Sequence, residues 1–193
     1  MYREAERIYG EGSVALSDAM TTDVFLTDWK EMASNNIAEV NLNYHGNNQT
    51  LFLDASNHQY LTATNDGFTN TQPRSDKIPA TNLQDLPNPN GNISHAQLNI
   101  NSCKSNSLTQ KPLLGSKQTL MGAFAESFRF QAVRGTSVGV SYSRWDLLPH
   151  PQYFSSQGWF KNWEYIGQPI KKPATVPVFI YTDALYFKTG GMK

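Results

Sequence analysis

Cysteine is almost missing from this chain of 193 residues: Cys103 stands alone. That excludes an intrachain disulfide framework and any CxxC metal or redox pair. One thiol remains, inert or reactive. Net charge is missing too, because sixteen Lys and Arg balance sixteen Asp and Glu. No overall field draws the protein to nucleic acid, to an anionic membrane or to a strongly charged partner, so function belongs to a local site. No apolar run approaches the roughly 18 to 20 residues of a membrane span, and the opening Met1–Arg7 lacks the apolar segment of a signal peptide. The expectation is a soluble chain without Sec export, cytoplasmic or delivered into a target cell. A charged helix beginning at the first residue would equally suit a domain of a larger protein. Internal repeats and low-complexity tracts are absent, and the length suits one domain over residues 1–193.

What the chain does have is a succession of short segments with strand or helix periodicity. After the opening helix-like stretch, Ser13 to Leu16 reads as a strand. Val24, Phe25, Trp29, Met32 and Ala33 recur at helical spacing, which predicts a helix over Thr22–Ala33. Glu39–Tyr44 alternates Val40, Leu42 and Tyr44 with polar residues, a strand running directly into His45-Gly46. Thr50–Leu53 and His58–Thr64 form a hairpin around Ala55-Ser56-Asn57, and Asn65–Lys77 is a loop. Thr81–Leu86 suits one or two helical turns before the turn-forming cluster Pro87–Asn92. Ala96–Ser102 repeats the earlier alternation and ends on Cys103. Asn41, Asn43, Asn99 and Asn101 interrupt the two strands in the same phase: either one sheet face is polar or the match is coincidence. Gln118–Phe130 is the strongest helix, Thr136–Tyr142 a strand with Arg144-Trp145-Asp146 at its end, and Pro149–Pro173 aromatic and irregular. Val176–Phe187 supplies one or two more strands. Crossovers of these lengths permit parallel pairing, so the fold class is α/β with helices on both faces of the sheet.

In open α/β sheets, functional residues collect where the strands end, because the loops there are exposed while the sheet holds them in register. His45, Cys103 and Arg144 all stand at such ends. If the Val40 and Leu98 strands are parallel neighbours, about 4.8 Å apart, their terminal residues face one gap. A thiol becomes nucleophilic as the thiolate, and an adjacent imidazole lowers its pKa or carries the proton to a leaving amine. A tetrahedral intermediate also needs N–H donors. Gly46, lacking a side chain, lets the main chain approach a carbonyl oxygen closely, and the Cys103 N–H is the natural second donor.

The segments VNLNYHG, residues 40–46, and QLNINSC, residues 97–103, resemble the paired motif of the caspase-like cysteine peptidases: a core strand ending in His-Gly, a spacer, and a second core strand ending in a small residue and the nucleophilic Cys. The group includes caspases, clostripain, gingipains and the autoprocessing domains of large bacterial toxins. The resemblance covers roughly residues 13–146 and implies a three-layer αβα sandwich with a mostly parallel central sheet, leaving an aromatic, irregular part over 147–193. It further implies His45 as general acid or base, Cys103 as nucleophile, and the Gly46 and Cys103 N–H groups as oxyanion hole. Arg144 and Asp146 become candidate substrate-binding residues: Arg144 would favour an acidic substrate residue and Asp146 a basic one, while a bare salt bridge between them is the other reading. No metal or cofactor is implied. The partners implied are a protein substrate and, for a bacterial effector or toxin domain, an inhibitor or immunity protein.

A lone cysteine is ordinarily an unreactive core residue; the strand ending in His-Gly is what turns the reading toward catalysis. His58, His95 and His150 lack partners at metal-ligand spacing and read as surface or structural residues. The aromatic cluster Tyr153–Tyr165 reads as core cover. Two hypotheses follow: a cysteine endopeptidase, or a catalytically inactive caspase-like fold that binds a protein partner. Other toxin chemistries find no HxE with PCxxC, no HNH-like pattern and no basic stripe.

Overall fold

The computed structural model of the protein describes residues 11–32, 37–54, 59–63, 80–82, 86–103, 105, 119–137, 163–169 and 178–182. Within them lie β1 (Val14–Ser17), α1 (Thr22–Glu31), β2 (Glu39–Asn43), β3 (His45–Gly46), β4 (Thr50–Asp54), β5 (Gln59–Thr62), β6 (Ala80–Asn82), β7 (Gln97–Ile100), α2 (Leu120–Ser127), β8 (Ala132–Thr136), β9 (Trp163–Gly167) and β10 (Val178–Thr182). The fold is mixed α/β. A six-stranded sheet runs in the order β1-β10-β2-β7-β8-β9, parallel throughout except for antiparallel β8/β9. A smaller sheet, β3-β4-β5-β6, hangs from the end of β2.

Both helices form for local reasons. Thr21 caps α1, its hydroxyl accepting from the Val24 N–H at 3.2 Å, with Asp23 in the first turn and Lys30 in the last to complement the helix dipole. Thr119 caps α2 in the same way through the Gly122 N–H at 3.1 Å. Phe25 and Trp29, one turn apart on α1, are fully buried. Trp29 stacks on Phe25 at 5.8 Å, meets Phe128 and Phe130 edge-on and tilts against Phe124 of α2, so the two helices share one aromatic cluster. Its indole N–H donates to the Pro87 carbonyl at 3.0 Å, which satisfies the polar atom that burial would otherwise strand. Val40, Leu42, Leu98, Ile100 and Val133 of the large sheet join this core, as do Leu51, Leu53 and Leu61 of the small one.

The other alternation of the same strands is polar yet equally buried: Asn41 and Asn43 on β2, Gln97 and Asn99 on β7 with Asn101 just beyond it, and Arg134 and Thr136 on β8. The matching asparagine phase therefore marks a real polar sheet face.

Several elements depart from the sequence reading. Of the strand expected over Thr136–Tyr142, residues 138–142 lie outside the described residues, while Ala132–Thr136, just ahead of it, is a strand that the sequence reading did not mark. Arg134 and Gly135 mask it in the sequence, because neither a charge nor a glycine normally signals a buried strand. Ala80–Asn82 is a strand parallel to β5, where Thr81–Leu86 suggested helical turns. The expected irregular region contains β9, and β10 lies inside the large sheet between β1 and β2. The opening helix, the hairpin tip at 55–57, the loop 65–77 and residues 138–162 lie outside the described residues.

Because β10 is paired on both sides, Ile180 with Leu16 and with Asn41, the left half of the sheet has no continuous ladder without it. Proline at a central strand position removes an N–H from such a ladder. Ile180→Pro should lower stability by about 3 kcal/mol or more, read as a shift of the urea-unfolding midpoint followed by far-UV circular dichroism.

Candidate active site

Parallel pairing of β2 with β7 brings the two sequence motifs together. Glu39, Val40, Asn41 and Leu42 face Gln97, Leu98, Asn99 and Ile100, a constant separation of 58 positions. The ladder continues past the last paired residues: the Asn101 N–H donates to the Leu42 carbonyl at 2.9 Å, and Asn101 Nδ2 donates to Asn43 Oδ1 at 2.8 Å across the same 58 positions. His45 and Cys103 stand two residues beyond Asn43 and Asn101, outside the β2/β7 ladder, and are separated by the same number of positions in the sequence. His45 is exposed and Cys103 half-buried.

Each chain turns away from the sheet at this point. Tyr44 is the pivot on the β2 side. Its ring packs edge-on against Phe25 at 6.2 Å and its hydroxyl donates to the Ala19 carbonyl at 3.0 Å, so the last core residue before His45 is held at both ends of its side chain. The strand thus breaks at Tyr44 instead of running into His45-Gly46, and those two residues open the small sheet, paired with Phe52 and Leu51.

Gly46 is required by packing. A Cβ there would lie 2.3 Å from Ser102 Oγ and 2.3 Å from the Thr50 carbonyl oxygen. The contact also shows that the His-Gly corner rests directly on the residue before Cys103. Ser102 is 1 % exposed and its hydroxyl has no hydrogen-bond partner among the described residues, so smallness is what the position demands. The far side of the Cys103 turn is fastened by Ser105, fully buried. Its hydroxyl accepts from the Thr136 N–H at 3.0 Å and donates to the Ile100 carbonyl at 3.5 Å, while its own carbonyl accepts from the Met121 N–H of α2 at 3.1 Å. Gly135 leaves the room, since a Cβ there would lie 2.8 Å from Ser105 Oγ. Cys103 therefore sits on a short turn clamped at both feet, each serine against a glycine of a neighbouring element.

Sequence reasoning singled out His45, Gly46 and Cys103 and did not single out Ser105, Gly135 and Arg134, which the structure places around the Cys103 turn and on the buried polar face. The signal for Ser105 and Gly135 lies only in their contact across 30 positions. Arg144, Asp146, His58 and His150 lie outside the described residues. His95 is exposed and precedes β7, at the opposite end of that strand from Cys103. Among the described residues, no three His, Cys, Asp or Glu side chains gather as a metal site requires, and no helix is long and apolar enough to cross a membrane.

Two substitutions test the clamp in opposite directions. Gly46→Ala must displace a backbone carbonyl as well as a side chain, and should cost about 1 to 3 kcal/mol. Ser102→Ala removes a buried hydroxyl with no partner among the described residues and should leave stability unchanged or raise it by up to about 1 kcal/mol. Urea unfolding of both variants checks the pair; a destabilised Ser102→Ala would show that the hydroxyl is bonded in solution.

The chain matches no family model, no curated protein and no solved structure.

Proposed function

We propose that this protein is a cysteine endopeptidase of caspase-like type, built on a three-layer αβα sandwich, with His45 and Cys103 as its catalytic dyad. The observation that supports the reading is the parallel pairing of β2 with β7 at an offset of 58 positions, which is also the sequence separation of His45 and Cys103, the residues that follow these strands. The burial of the polar sheet face supports a third layer, because a face left to water would not be 1 to 4 % exposed at Asn41, Asn43, Asn99, Asn101 and Arg134.

In the proposed reaction the Cys103 sulfur attacks the peptide carbonyl carbon, and its proton passes to the His45 imidazole. The N–H groups of Gly46 and Cys103 receive the developing oxyanion. Collapse of the tetrahedral adduct breaks the C–N bond, the leaving amine takes the proton from His45, and a thioester remains. Water then adds with His45 as base, and the thiol leaves as the carboxylate product is released. A His just beyond one strand and a Cys just beyond its neighbour suit this chemistry because proton carrier and nucleophile must address one carbonyl from fixed positions. Substrate preference falls to Arg144 and Asp146, the first favouring an acidic residue and the second a basic one.

A second reading, a catalytically inactive member of the same fold that binds a protein partner, draws on β9. This edge strand exposes Tyr165 and Ile166 to about two-fifths of their surface. Thiol reactivity separates the two.

Iodoacetamide labelling at neutral pH, followed by intact mass, should modify Cys103 rapidly in the native protein and at least about tenfold more slowly in His45→Ala. Slow labelling at equal rates in both proteins would reject the dyad and leave the binding reading. With the dyad supported, a peptide library should yield a cleavage that Cys103→Ser abolishes.

A further inference from the structure

The buried polar face raises a question that the dyad alone does not answer: what holds two strand ends in register when the ladder between them stops short of the reacting residues? Amide side chains cross the β2/β7 gap in two successive rows. In the lower row Gln97 Nε2 donates to Asn99 Oδ1 at 2.7 Å, and Asn99 Nδ2 donates to Asn41 Oδ1 at 2.8 Å and to Glu39 Oε2 at 3.3 Å. In the upper row Arg134 Nη2 donates to Asn101 Oδ1 at 2.9 Å, and Asn101 Nδ2 donates to Asn43 Oδ1 at 2.8 Å. Arg134 faces Asn99 in the ladder but reaches two residues further along β7, toward the Cys103 end.

A guanidinium can only donate, so Asn101 must offer Arg134 its oxygen and turn its NH2 toward β2. The direction of the upper row is thus set by the one member that cannot be reversed. The row ends on Asn43, whose Nδ2 is buried without a partner among the described residues. In return for that stranded donor, the β2 end is tied to the β7 end one alternation below His45 and Cys103.

We propose that the Arg134–Asn101–Asn43 relay is a positioning device: it fixes the register of the β2 and β7 ends and so holds His45 opposite Cys103. Arg134, Asn101 and Asn43 are positioning residues that touch no substrate. The inference rests on the dyad reading for its consequence and on the hydrogen bonds alone for its existence, and the two are tested separately.

The main variant is Asn43→Ser, which keeps a small polar side chain too short to accept from Asn101. Asn43→Asp retains the acceptor and is the conservative rescue. Asn41→Ser removes a pair of the same kind one row further from the site. Cys103 alkylation is measured in each, with and without His45→Ala, alongside hydrogen exchange of the Asn101 amide, which bonds to the Leu42 carbonyl. Asn43→Ser should lose about tenfold of the His45-dependent rate and expose the Asn101 amide to faster exchange, whereas Asn43→Asp and Asn41→Ser should stay within about twofold of the native rate. Native alkylation in Asn43→Ser with unchanged exchange would overturn the proposal, as would an equal loss in Asn41→Ser, which marks a general loss of stability. Equal alkylation of the native protein and His45→Ala would overturn the dyad instead; the exchange of the Asn101 amide would then still decide whether the relay locks the register. Should Asn43→Ser fail to fold, Arg134→Lys, which keeps the cation but loses the planar fork, takes its place with the same expectations.

Discussion

Everything at the candidate site depends on the register between β2 and β7, and that register is constrained from both faces of the sheet. Slipping the pairing by one residue would turn Asn41 and Asn43 into the aromatic core and Val40 and Leu42 onto the amide face, which neither face can absorb. A slip of two residues is the harder alternative to exclude. It preserves the alternation and would still set amide against amide, Asn43 opposite Asn99 and Asn41 opposite Gln97. What opposes it lies at the end of the strands: Tyr44 is fastened to Ala19 and Phe25, Gly46 rests against Ser102, and Arg134 would lose Asn101 from its place beside Asn43. The residues that select the register are therefore the residues that surround the proposed dyad.

The two faces of the sheet divide the physical work. The apolar face, with Trp29 at its centre, supplies burial. At about 25 cal/mol per Å² of apolar surface removed from water, a cluster of this kind is the main favourable term in the fold. Such a cluster tolerates repacking, because hydrophobic contact has no direction. The amide face contributes less net energy, about 1 kcal/mol for each hydrogen bond, but it has direction, and misplacing a member leaves a buried polar group unpaired. One face gives the sheet a reason to form, and the other gives it a reason to form in one alignment.

What the sequence made legible follows the same division. Period-two alternation revealed β2 and β7, their common asparagine phase, and the delivery of His45 and Cys103 to strand ends, because alternation is imposed by burial on a single strand. Helical spacing revealed α1 and α2 to within a few residues. The position of β8 was hidden because its Arg134 and Gly135 owe their presence to partners elsewhere, Asn101 and Ser105. Thr81-Asn82, read as the start of helical turns over Thr81–Leu86, belong to β6 because pairing with β5 decides the backbone of Ala80–Asn82. The insertion of β10 between β1 and β2 leaves no trace in periodicity, since strand order is a property of the pairings and not of any one segment.

The clamp around Cys103 extends this logic to the proposed nucleophile. A turn at the end of a strand is normally free to adjust, and a side chain on it samples many positions. Here Ser102 and Ser105 both face inward while Cys103 between them remains half-buried, and each serine occupies space left by a glycine on a separate element, Gly46 of β3 and Gly135 of β8. Size complementarity at both feet removes the freedom of the turn without adding any bulk near the thiol. Restricting the thiol has a use when a second group must meet it at a set distance. That group, on this reading, is the imidazole on the neighbouring corner.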